Sequence, residues 1–82
     1  MTPELQAYYE DRFELMSLPG WKELIKDIKV MLDVTNTLSG IDTVEKLHFR
    51  KGEISIMNWL LSLQTISEDT YAELIKGEDE NT

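Results

Sequence analysis

The stretch that most constrains this chain is Thr43 to Ile66, TVEKLHFRKGEISIMNWLLSLQTI. Val44, Leu47, Ile54, Met57 and Leu61 recur at spacings of three, four or seven, which is one stripe of a helix. Ile56, Leu60 and Leu63 make a second stripe beside it, and Phe49 and Trp59 widen the apolar surface. Between Ile54 and Leu63 the clearly polar positions are Ser55, Asn58 and Ser62. A helix apolar on more than one side must be covered on more than one side, by its own chain or by another. The alternation Ile54-Ser55-Ile56 would also suit a short strand, but the continuation through Trp59-Leu60-Leu61 favours helix. Thr43 is the expected N-cap, and Asp42 and Glu45 place negative charge at the positive end of the helix dipole.

Gly52 lies inside this helix, at a cost of roughly 1 kcal/mol relative to alanine. Two readings fit. The residue allows another helix to pass close or the helix to bend, or it breaks the helix after Arg50-Lys51 and leaves a basic corner for an anion.

The flanking segments also read as helices. Thr2-Pro3-Glu4 is a helix opening, because Thr2 can cap and proline suits the first helical position. Leu5, Tyr8, Tyr9, Phe13 and Met16 then define a helix over about 3–16. Tyr8 and Tyr9 suit the edge of a core, with a ligand-stacking pair as the alternative. Ser17-Leu18-Pro19-Gly20 is a turn. Trp21, Leu24, Ile25, Ile28, Met31 and Leu32 mark a second helix over about 19–36, and Lys22, Glu23, Lys26, Asp27, Lys29 and Asp33 form its wet face.

A short connector, Leu38 to Asp42, makes the second and third helices antiparallel neighbours. Ser67, followed by Glu68 and Asp69, looks like the cap of a last short helix that carries Tyr71, Leu74 and Ile75 and stops at Gly77. The expected fold is all-α. An antiparallel helical hairpin (about 19–36 and 43–66) is flanked by an N-terminal helix and a short C-terminal helix. Residues 1–77 would form a single helical domain and 78–82 an acidic mobile tail.

Chemistry is thinly represented. The single histidine, His48, stands one turn from Glu45, which is a weak signal for acid–base catalysis. The four glycines are far apart and form no phosphate loop, and the carboxylates do not follow a calcium-loop spacing. There is no cysteine, which fits a reducing compartment and excludes a cysteine-based metal site. The expectation is therefore a protein that is not an enzyme, with no cofactor and no metal. No apolar run reaches the roughly 18 residues of a membrane span, and the N-terminal segment does not resemble a signal peptide.

The formal charge of −8 is uneven. Residues 1–16 carry −3, 17–42 carry −1, 43–66 carry +1 and 67–82 carry −5. Acid at both ends argues against direct nucleic-acid binding and against an anionic membrane surface. A basic protein partner remains compatible with it.

The segment YYEDRFELMSLPGWKELIKDI, followed by VEKLHFRKGEISIMNWLLSL, resembles a group of small acidic proteins of tailed bacteriophages. The resemblance covers about residues 4–76. It is most specific at Tyr9 to Phe13, at Pro19-Gly20-Trp21, and from Phe49-Arg50-Lys51-Gly52 on to Trp59-Leu60-Leu61. It implies a phage source, residence in the host cytoplasm or the virion, and an accessory role in the particle, in DNA packaging or in host takeover. It transfers no functional residues.

Two functions follow as expectations. In the first, the protein is a helical protein–protein interaction module, a self-associating homo-oligomer or the partner of a phage or host protein, serving particle assembly or DNA packaging. Ile56, Trp59, Leu60 and Leu63 would be buried against the partner, with Phe49 and Arg50 at the rim. In the second, it is an acidic inhibitor that fills a basic nucleic-acid-binding groove of a host enzyme. That reading requires Glu10, Asp11, Glu14, Glu68, Asp69 and Glu73 to converge on one face.

Overall fold

A computed structural model describes the backbone of residues 1–80 and the side chains of residues 1–78. Three helices, α1 (Pro3–Ser17), α2 (Pro19–Thr35) and α3 (Val44–Glu80), account for the fold, and no strand occurs among the described residues. The class is all-α. Glu53 to Met57 is helical, so the strand alternative falls.

The helix starts follow local chemistry. The Thr2 hydroxyl accepts from the Leu5 amide at 3.1 Å, and Pro3 stands where its missing amide hydrogen is not needed. The Thr43 hydroxyl accepts from the Lys46 amide, also at 3.1 Å. Each cap supplies one of the partners that first-turn amides lack. The turn expected over four residues contracts to Leu18 alone, which is extended (φ −75°, ψ 143°) as the residue before proline should be. Gly40, within the α2–α3 connector, has φ +77°, a conformation that favours glycine.

The chain divides into two compact units. Residues 23–62 form a helical hairpin. Met31 lies beside Ile56 and Met57, while Thr35 and Thr37 lie beside Arg50, so α2 and α3 run antiparallel here. Ile28 and Met57 are its buried centre, with Ile25, Leu32, Leu47, Ile54 and Leu61 half-buried around them.

The second unit comprises residues 1–22 and 63–82. Here α1 runs antiparallel to the end of α3. The Met1 ammonium group pairs with the Glu78 carboxylate, Tyr9 and Phe13 pack on Tyr71, and Ser17 shares a groove with Gln64. Tyr9, Met16 and Ser67 are buried there.

The main departure from the sequence reading lies at Ser67. No helix begins there, because α3 continues for 37 residues through Ile66, Ser67 and Gly77. Ser67 is 3 % exposed on the core side of α3, seven residues before Leu74 and ten after Met57. Its small side chain suits a close helix contact, and burial of that stripe outweighs its capping tendency. Gly77 has no positive φ and does not stop the helix. Glu78 to Glu80 belong to α3 rather than to a tail, and Asn81 and Thr82 lie outside the described residues.

Arg50 ties the hairpin together at its loop end. One guanidinium nitrogen donates to the carbonyl oxygens of Thr35 at 3.1 Å and Thr37 at 2.7 Å, and Nε lies 3.8 Å from Glu53. A cation thus meets carbonyls at and just beyond the negative end of α2, where the Thr35 oxygen also accepts from the Thr37 amide. Arg50→Met is expected to lower stability by about 1–2 kcal/mol, seen as an earlier urea midpoint with an unchanged slope.

Candidate functional site

Once α3 is placed, its two stripes have different fates. Leu47, Ile54, Met57 and Leu61 face the hairpin core, whereas Val44, assigned to the same stripe, is open to solvent. Phe49, Ile56 and Trp59 stand outside at 70 %, 60 % and 52 % exposure. Leu60 is half-buried, and Leu63 is half-buried in the portion of α3 that belongs to the other unit.

The open stripe does not stand alone. Met31 of α2, assigned to the core from the sequence, is instead 57 % exposed, and with Phe49, Gly52, Ile56 and Met57 it lines an apolar groove of about 550 Å³. His48 and Glu53 complete the lining. Leu24 stands seven residues before Met31, hence on the same side of α2, and is half-exposed as well. This is a contiguous apolar face over two helices, of the kind that marks an interaction site on a small protein.

Gly52 sits within that face, and a Cβ built on it would meet nothing within 4 Å. No helix of this chain passes close to it, and α3 is unbroken there. The close pass of another helix and the break after Lys51 therefore do not account for the glycine, which leaves the bend of the helix as the local reading. Arg50, expected at the rim of an interface, is committed to the α2 carbonyls instead. The sequence held the signal: Arg50 lies on the core stripe, three residues after Leu47 and four before Ile54, where a charged group must reach a partner.

The six acidic candidates are all exposed, and all six belong to the unit of residues 1–22 and 63–82. Glu68, Asp69 and Glu73 sit on one uninterrupted helix, where offsets of one and five residues turn the side chain by about 100° and 140°. Glu68 borders a groove with Phe13, Met16, Ser17, Lys22, Gln64 and Tyr71 and accepts from the Gln64 amide. Asp69 and Glu73 point elsewhere. On α1 the Glu10 carboxylate accepts from Gln6, and Asp11 is turned about 100° from it. Tyr8 and Tyr9 meet edge to face, Tyr9 belongs to the core, and Arg12 lies 4.7 Å over the Tyr8 ring. The tyrosines thus act as a core edge rather than a ligand clamp.

Charge is divided between the units. Residues 23–62 hold six carboxylates against five basic side chains, or −1. The other unit holds ten against three, or −7. Among the described residues, no group of three or more potential ligands could hold a metal ion, and no helix is long and apolar enough to cross a membrane. His48 lines the apolar groove. No protein-family model, curated protein or solved structure matches the chain.

Proposed function

We propose that this protein is a non-enzymatic helical module that binds another protein chain and serves bacteriophage particle assembly or DNA packaging. The observation that carries the binding role is the open apolar face of Phe49, Ile56, Trp59 and Met31. The fold leaves more than half of each of these side chains in water and so forgoes a good part of the about 1.5–3 kcal/mol that full burial of each would bring. The phage setting rests on the resemblance over residues 4–76, and it places the protein in the host cytoplasm or the virion. The acidic-inhibitor alternative is supported by the −7 charge of one unit, to which all six of its acidic candidates belong.

The test compares tagged wild-type protein with Phe49→Glu in extract from infected cells. A phage or host chain retained by the wild type and lost by the variant, with helix content unchanged, is the expected outcome. Equal capture by both, with no other partner dependent on this face, would remove the assignment.

A further inference from the structure

The open stripe of α3 has an internal pattern. Phe49, Gly52, Ile56 and Trp59 follow at intervals of three, four and three. Such spacing keeps residues along one side of a helix and is the spacing by which helices interlock side chains. It also reads the same in both directions. Two copies placed antiparallel about a twofold axis at the level of residue 54 would set Gly52 opposite the partner's Ile56 and Phe49 opposite the partner's Trp59. Each relation occurs twice, as an isologous contact requires.

We propose that this face is the contact surface of a homodimer in which two α3 helices cross antiparallel, with Ile56 of each copy filling the space over Gly52 of the other. The proposal rests on reading the face as protein-binding, and it names the partner as a second copy of the chain.

Four observations carry it. First, Gly52 costs its helix roughly 1 kcal/mol, and neither a left-handed backbone nor a close neighbour requires it, because its φ is not positive and a Cβ there would be unopposed. A helix seated on this face gives the glycine a purpose. Second, the central facing positions set large against small, Ile56 of one copy over Gly52 of the other, as interlocking packing demands.

Third, the charges suit this orientation. Arg50 is turned to its own α2, and the charged residues Glu45, Lys46, Lys51 and Glu53 fall level with the partner's residues 55–63, a stretch with no charge. A parallel pair would instead bring Lys46 and Lys51 towards their own copies. The unit that contains the face carries only −1 of the total −8, so repulsion between copies is weak there. Fourth, Met31, Phe49, Ile56 and Trp59 at their observed exposures offer on the order of 500 Å², more than half of the roughly 800 Å² that each side of a standard interface buries.

The test is solution mass by light scattering over a concentration series. The samples are wild type, Gly52→Ile, Ile56→Gly and the double exchange, with circular dichroism to verify helix content. A dimer is expected for wild type, weakened roughly tenfold or more in each single variant, and restored in the double exchange because the exchanged residues again face each other. Ile56→Gly weakens its own helix, so a second measurement is independent of it. The chain has no cysteine. Mixing Phe49→Cys with Trp59→Cys protein should therefore give a mixed disulfide in preference to either self-linked product.

A dimer without rescue, or with self-linked Phe49→Cys favoured, would overturn the antiparallel register. A monomer at every concentration would overturn the second copy as the partner. That result leaves the protein-binding reading to stand or fall on the Phe49→Glu capture experiment.

Discussion

Glu68→Pro is expected to cost at least about 3 kcal/mol and to melt the helix after Ile66. Proline at this position removes an amide hydrogen and forces its ring against the carbonyl of Gln64, four residues back. In an unbroken α3 both groups belong to the helix ladder. If a separate helix were capped by Ser67, residue 68 would be its first helical position, where proline is welcome. The two geometries therefore predict opposite results from one substitution. Val44→Pro supplies the control, since Val44 is the true first residue of α3 and is 64 % exposed. It should change stability by no more than about 0.5 kcal/mol. Urea denaturation followed by helix signal measures both, and a neutral Glu68→Pro would disprove the continuous helix.

Tyr9→Ala is the second large effect, at about 3–4 kcal/mol. Tyr9 is 9 % exposed and is the shared neighbour of an aromatic group. Its ring centroid lies 5.2 Å from Tyr8, 6.1 Å from Phe13 and 5.6 Å from Tyr71, and Phe13 meets Tyr71 edge to face at 5.4 Å. Removing the ring leaves Tyr71 and Phe13 without their common contact and leaves α1 held by Met16, Leu5 and the terminal ion pair. Amide hydrogen exchange should therefore accelerate first in α1 and residues 63–78, before residues 23–62. Uniform acceleration through the chain would show instead that the two units unfold as one.

Local signals in the sequence were read correctly where nothing competed with them. Thr2-Pro3 and Thr43 open helices because a hydroxyl and a proline need only their own first turn to act. The hairpin was legible because Ile28, Leu32, Ile54, Met57 and Leu61 repeat at helical spacing on both sides of a short connector. Ser67-Glu68-Asp69 misled because it has the composition of a helix start. The apolar repeat runs through it from Leu61 to Tyr71 and Leu74, and tertiary burial of that repeat prevailed.

Periodicity alone could not divide the apolar residues of α3. Met57 and Ile56 are equally hydrophobic neighbours, yet one is 8 % and the other 60 % exposed. Only the position of α2 separates them. Arg50 was misplaced for a related reason. Its charge suggested a rim, whereas its place on the core stripe committed it to the Thr35 and Thr37 carbonyls.

Among the described residues no side chain falls below 2 % exposure, and that thin interior has a thermal consequence. The heat-capacity change of unfolding follows the apolar surface newly exposed to water, ordinarily about 12–15 cal/mol/K per residue. A protein that already exposes Phe49, Ile56 and Trp59 when folded has less surface left to uncover, so its value falls below that range. Its stability then changes little with temperature, and its melting is broad. Covering those residues with a second chain would add the missing heat capacity, so the curvature of the melting profile would itself depend on concentration.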